Sequence, residues 1–204
     1  MKKLLSLVVA LSLLSFISPK PKDDWIPLFN GKNFDGWKIN EHPETFTIEN
    51  GAIVVHGERA HMFYDGPVHN HDFRNFEYKA TLMTTPGSNS GMYILTEYQA
   101  DGWPSKGFEI QVNNSHTDWR RTGSVYALKD VKVPPAKDNE WFTQSIKVVG
   151  KTITVKVNDK VINEYTESDT VKVSRFRRGT FALQGHDPKS KVYYKEVMVK
   201  PLPD

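Results

Sequence analysis

The chain has 204 residues, 38% hydrophobic, 12% aromatic and 25% charged, with a formal net charge of +3. These proportions fit one folded domain and exclude a disordered or collagen-like chain. The absence of cysteine removes disulfides, thiolate nucleophiles, zinc–thiolate centres and acylation of an N-terminal Cys, and the near-neutral balance lacks the concentrated basic face that nucleic-acid binding needs.

Taken in chain order, Met1-Lys2-Lys3 is a short positive region, followed by Leu4 to Ile17, apolar except for Ser6, Ser12 and Ser15. Such a run suits the core of an export signal and falls short of the roughly 20 residues that span a bilayer. Residues 1–18 are therefore expected to be a signal peptide and 19–24 a polar linker, with no membrane span once the signal is gone. The folded part is expected outside the cytoplasm, periplasmic or extracellular.

From Trp25 onward, strand periodicity dominates. Phe76-Glu77-Tyr78-Lys79-Ala80-Thr81-Leu82, Phe108-Glu109-Ile110-Gln111-Val112-Asn113, Ile153-Thr154-Val155-Lys156-Val157 and Phe181-Ala182-Leu183-Gln184 alternate apolar with polar positions. Val149-Gly150-Lys151 and Val157-Asn158-Asp159-Lys160-Val161 read as tight hairpin turns, because Gly and Asn accept positive φ. Val192 to Val199 makes a closing strand. Without a sustained helical stripe, about a dozen short strands spell an all-β sandwich over residues 25–202. Irregular stretches are expected at 57–72, 97–107, 114–122 and 129–139.

Several short motifs stand in order along the chain: Leu28-Phe29-Asn30-Gly31-Lys32-Asn33-Phe34-Asp35-Gly36-Trp37, Gly87-Ser88-Asn89-Ser90-Gly91, Gly107-Phe108-Glu109-Ile110-Gln111, Gly123-Ser124-Val125-Tyr126, Glu140-Trp141, Val157-Asn158-Asp159 and Leu183-Gln184-Gly185-His186. Their order and spacing resemble the 3-keto-disaccharide hydrolase family over about residues 25–202. The resemblance implies a concanavalin A-like jelly-roll sandwich. It also implies action on 3-keto-glycosides, by hydrolysis or by an elimination that releases the aglycone.

The residues supply their own chemistry. Glu109 and Gln111 are two apart on a strand and so share a face, expected to be that of a concave sheet, and Asn113 continues the row. A carboxylate beside two amides can hold sugar hydroxyls and move one proton. Trp103 and Trp119 flank the strand and could stack on a pyranose. Sandwich glucanases carry Glu-x-Asp-x-x-Glu on such a strand, whereas this chain has Glu109, Gln111 and Asn114. Double displacement needs two carboxyls about 5–5.5 Å apart, so a second acid would have to come from a loop, as Asp101 or Asp118 could, or the chemistry must differ. A ketone at C3 acidifies the C2 hydrogen, and elimination then needs only a base, an enolate stabiliser and an acid.

His116, just after the Glu109 strand, and His186, at the end of the Leu183-Gln184 strand, are the proton-transfer candidates beside Glu109. Asn89, Tyr126 and Arg121 join Gln111, Asn113, Trp103 and Trp119 as substrate-facing candidates. A divalent cation could find ligands at His69-x-His71-Asp72, or at Glu109 with His186, but neither has a diagnostic spacing. Trp25, Trp37 and Trp141 are expected to pack in the core or seal strand ends. The expected partner is a carbohydrate. A lectin-like binding protein without catalysis is the alternative, since lectins share this architecture.

Overall fold

The computed structural model describes residues 24–204; the expected signal segment and most of the polar linker lie outside the described residues. Two antiparallel sheets form the molecule. One runs β11 (Lys160–Thr166), β10 (Thr152–Val157), β9 (Phe142–Val149), β6 (Phe76–Thr84), β13 (Val192–Pro201), β4 (Ala52–Val55), β3 (Phe46–Glu49), with β1 (Ile26–Pro27) also paired to β13. The other runs β2 (Trp37–Ile39), β5 (Ala60–Tyr64), β12 (Thr180–Gly185), β7 (Ser90–Thr96), β8 (Phe108–Val112). This is the β-sandwich that the alternation calls for.

The alternating apolar residues meet between the sheets. Tyr78 of β6 stacks on Phe181 of β12 with ring centroids 4.2 Å apart, and Phe76 meets the same ring edge-on at 5.0 Å. Met62, Met92, Ile94, Ile110 and Leu183 complete the inner face of the five-stranded sheet. Burial of this apolar surface is the main stabilising term, at roughly 25 cal/mol per Å². The hairpin turns form where glycine and asparagine foretell them: Gly150 has φ +59°, and Asn158 and Asp159 have φ +47° and +64°.

Two expectations need correction. The stretch 57–72 is not all irregular, because Ala60-His61-Met62-Phe63-Tyr64 forms β5, whose residues alternate between the two faces of the sheet. Trp141 is 42% exposed and lies against Tyr193 and Lys195 on the surface rather than in the core. Trp37 does seal: its indole N–H donates to the Leu28 carbonyl at 2.7 Å and its ring meets Tyr64 edge-on.

β8 ends the five-stranded sheet, yet its outer edge is covered. The Gln111 amide donates to the Ser124 carbonyl, the Gly123 amide to the Gln111 carbonyl, and the Tyr126 amide to the Glu109 carbonyl. Segment 121–129 thus runs alongside β8 and brings Tyr126 next to Glu109.

Candidate active site

The face of the five-stranded sheet turned away from the core carries His61 and Phe63 (β5), Ala182 and Gln184 (β12), Tyr93 (β7), and Glu109 and Gln111 (β8). The pairings Gln184↔His61, Ala182↔Tyr93 and Tyr93↔Glu109 align them in rows across the strands. Over this face lies a cleft of about 360 Å³, lined by Glu109, Gln111, Tyr93, Gln184, His186 and Asn89 and, from loops, by Trp103, Tyr126 and Arg175.

Glu109 sits at its centre. Oε2 accepts from the Tyr93 hydroxyl at 3.0 Å and Oε1 from Gln184 Nε2 at 3.1 Å. Burial penalises the carboxylate more than these donors stabilise it, so its pKa is pushed up to about 7. The carboxyl therefore keeps its proton well above the usual carboxylate range. Gly91 on β7, opposite Gln111, makes room: a Cβ there would stand 2.8 Å from Glu109 Oε1. Among the described residues, Glu109 is the only carboxyl lining the cleft. Asp118 accepts from the Tyr126 hydroxyl at 3.4 Å and raises the Glu109 pKa through its charge, but lies outside the lining. Asp101 is likewise outside it.

At the other end stands His186. Its Nδ1 donates to Asp187 Oδ2 at 2.7 Å, which fixes the tautomer and leaves Nε2 with its lone pair. Burial alone would raise the Asp187 pKa, but bonds from His186, Ser190 Oγ (2.8 Å) and the Lys189 amide (2.8 Å) outweigh it and hold the group ionised. His116 lies behind: its ring meets His186 edge-on at 5.3 Å, and its Nε2 is 3.8 Å from the same Asp187 oxygen. Burial, with the charge of His186 added, lowers the His116 pKa.

His116, His186 and Asp187 offer three ligand atoms within 4.8 Å of one another. The hydrogen bonds do not suit a cation. His116 Nδ1 accepts from the Asp118 amide at 3.1 Å, so the neutral ring keeps its proton on Nε2, the nitrogen facing Asp187. His186 keeps its proton on Nδ1, also facing Asp187. Two imidazoles, each turning a ring nitrogen to one carboxylate, account for the group. The cation candidate at the His69 loop disperses: Asp72 pairs with Arg178 at 2.7 Å, His71 faces Asp65 at 3.6 Å, and His69 stacks on Phe73.

The cleft holds unspent hydrogen-bonding capacity. Gln111 is fully buried and neither amide atom has a partner; Gln184 Oε1 and Asn89 Oδ1 are also unpartnered. His61, fully buried beside Tyr93 and Trp103, has no partner on either ring nitrogen, and burial lowers its pKa to about 4, so it is neutral. An unpaired buried polar group costs about 1–3 kcal/mol. The unpartnered atoms of Gln111, Gln184 and Asn89, all cleft-lining residues, mark where a polar ligand completes the site.

The structure thus brings together Glu109, His186, Gln111, Asn89, Trp103 and Tyr126, with His116 just behind. Three other candidates lie elsewhere. Asn113 turns into the following loop, where its Nδ2 donates to the Asp118 and Arg120 carbonyls and its Oδ1 accepts from the His116 amide. A buried amide beside loop carbonyls is captured by them. Arg121 braces the same loop through the His116 and Asp118 carbonyls. Trp119 is 48% exposed, with the Arg120 guanidinium over its ring at 4.8 Å. Tyr93, Gln184, Asp187 and His61 were not singled out for these roles by sequence. The period-2 runs Ala60-His61-Met62-Phe63 and Gly91-Met92-Tyr93-Ile94 carry the signal that finds two of them.

The chain matches the 3-keto-alpha-glucoside-1,2-lyase-like domain over residues 24–200. It is 26% identical to the 3-keto-disaccharide hydrolase of Bacteroides thetaiotaomicron over 197 residues, covering 81% of this chain and 68% of that protein. Its fold is similar to a provisionally named glycosyl hydrolase of Parabacteroides distasonis (TM-score 0.72, 21% identity, 88% of this chain and 94% of that one). It is also similar to the carbohydrate-binding module CBM66 from Bacillus subtilis (TM-score 0.60, 12% identity, 81% and 95%).

Proposed function

The chain belongs to the 3-keto-alpha-glucoside-1,2-lyase-like family, which gives it a glycoside-processing role, and from that premise we propose that it cleaves 3-keto-glycosides by elimination across C1 and C2. His186 Nε2, oriented by Asp187, takes the proton from C2 beside the ketone, and the electron pair forms an enolate. The unpartnered Gln111 amide donates to the enolate oxygen. The ketone then re-forms, the pair becomes the C1=C2 double bond, and the C1–O bond breaks. Glu109, protonated at neutral pH because it is buried, gives its proton to the leaving oxygen. The products are the free aglycone and an unsaturated 3-keto sugar. Water adding across the double bond would give the hydrolysis product.

The observation that carries this reading is Glu109, a lone cleft carboxyl held near neutrality in the same cleft as an aspartate-oriented histidine. One carboxyl rules against double displacement on this strand and suffices for elimination. A module that merely bound sugar would have no use for a desolvated carboxyl set in one cleft with an aspartate-oriented histidine. The test is turnover of the 3-keto-glucoside of nitrophenol in D₂O, with and without chelator. The expected sugar product carries either a vinylic C1 or deuterium at C2. A hydrolysed sugar that kept its C2 hydrogen, faster than spontaneous exchange, would refute the mechanism. Equal turnover of the unoxidised glucoside would refute the substrate class.

Export of the chain belongs to the same proposal, supported by Met1–Lys3 and the apolar run to Ile17. N-terminal sequencing of protein from the envelope or medium is expected to start near Pro19. A start at Met1 in a cytoplasmic fraction would overturn it.

A further inference from the structure

The cleft does not end at Glu109. Past Gly107 it runs into a second hollow of about 380 Å³, and Ser105, Gly107 and Arg175 border both. The second hollow is basic. Lys106, Arg175, Arg177 and Arg178 border it, against one acid, Glu97, which pairs with Lys106 at 2.9 Å. Arg178 is neutralised by Asp72 and Asp204. The guanidinium groups of Arg175 and Arg177 have no hydrogen-bond or ion-pair partner among the described residues, and both side chains are exposed. Their backbone is pinned. Phe176 between them packs on Phe108 at 4.7 Å and stacks with Tyr165, while the Arg175 amide donates to the buried Glu167 carboxylate at 3.1 Å.

Two unpaired arginines on an anchored segment, at the mouth of a cleft whose other ionisable lining groups are Glu109 and His186, form a local positive field. Its place relative to the reacting groups assigns its use. His186 and Asn89 hold one end of the cleft and Glu109 the middle, with the basic hollow beyond Glu109. If Glu109 protonates the leaving oxygen, the leaving group extends into that hollow.

We propose that Arg175 and Arg177 form the leaving-group subsite and select 3-keto-glycosides whose aglycone bears a carboxylate, as a phenolic acid or a uronic acid does. This deepens the elimination reading and rests on it for which part of the substrate lies there. Guanidinium groups suit carboxylates because their paired N–H donors match the two oxygens.

The decisive comparison uses the 3-keto-glucosides of 4-hydroxybenzoate and of its neutral amide, 4-hydroxybenzamide, in the wild type and in Arg175→Gln/Arg177→Gln. For the wild type, kcat/KM is expected to favour the carboxylate about tenfold, as one or two part-exposed charge pairs allow. The preference should shrink with salt and fall to near one in the double variant. A wild-type ratio near one, or a ratio that survives both substitutions, would overturn the subsite. A second readout keeps this apart from the reaction itself: calorimetric Kd values for the two unoxidised glucosides. If neither 3-keto compound turns over, the elimination reading falls. The binding ratio and its response to the double substitution then decide the charge preference alone.

Discussion

Strands β6 and β8 begin with nearly the same sentence. Phe76-Glu77-Tyr78-Lys79-Ala80-Thr81 and Phe108-Glu109-Ile110-Gln111-Val112-Asn113 both alternate, with apolar residues turned into one core. Their polar rows meet different fates. On β6, Glu77 stands opposite Lys147, Lys79 lies over the Trp25 ring, and Thr81 donates to Glu196 at 2.6 Å, all at a wet surface. On β8, Glu109 is half-buried in the cleft that Trp103 and Tyr126 help to line, and Gln111 is wholly buried without a partner. Alternation therefore tells which residues leave the core. Whether they reach water or a site depends on what covers them, which is a property of distant loops.

The comparison breaks most sharply by neutralising each glutamate. Removing a proton-transfer group costs about 10²–10⁴-fold in rate, so Glu109→Gln is expected to lower turnover of a 3-keto-glycoside by that order, and Glu77→Gln to leave it unchanged. Steady-state kinetics of the pair checks this; a Glu109→Gln enzyme with most of its activity would move the site elsewhere. On the histidine side, His186→Ala should cost about 10²-fold or more. Asp187→Asn should cost less, about tenfold, because it disturbs the tautomer rather than removing the base. Its signature would be an altered pH profile of kcat with KM nearly unchanged.

Gly91→Ala sharpens the contrast from the neighbouring strand. The added methyl would press the Glu109 carboxyl out of its place at 2.8 Å, so kcat should fall about tenfold, the scale on which small misplacements act. Gly87→Ala, with open space around its Cβ, should leave kcat alone and cost about 1 kcal/mol of stability for its positive φ.

The last contrast concerns pH. Glu109 has its folded pKa raised from 4.5 to about 7. Its contribution to stability is therefore fully present below pH 4.5 and is lost as pH rises through 7. Wild type should lose roughly 2–3 kcal/mol from this group across that window, and Glu109→Gln should flatten that part of a denaturant-midpoint curve. Activity should also fall as pH rises through about 7, since the acid role needs the proton.

The sandwich was legible because periodicity and turn residues are local signals, as the positive φ of Gly150, Asn158 and Asp159 illustrates. Glu109, Gln111 and His186 were legible for the same reason: a polar row on a strand and a histidine at a strand end. Asn113 broke the rule one residue past the end of β8, where carbonyls of its own loop captured its amide. Asp187 shows the opposite limit. Nothing in its spacing says that it will hold a histidine, because that bond depends on how the chain turns after β12.

The strip of backbone laid along β8 has a consequence for the protein's life at high concentration. An uncovered strand end offers amides and carbonyls to any passing strand and so invites growth into fibres. Here the reactive strand is the terminal one, and residues 121–129 occupy its free hydrogen-bonding groups. The segment that places Tyr126 over the cleft is thus also a guard against self-association. Engineers who shorten it to open the cleft should expect aggregation before they see any change in selectivity.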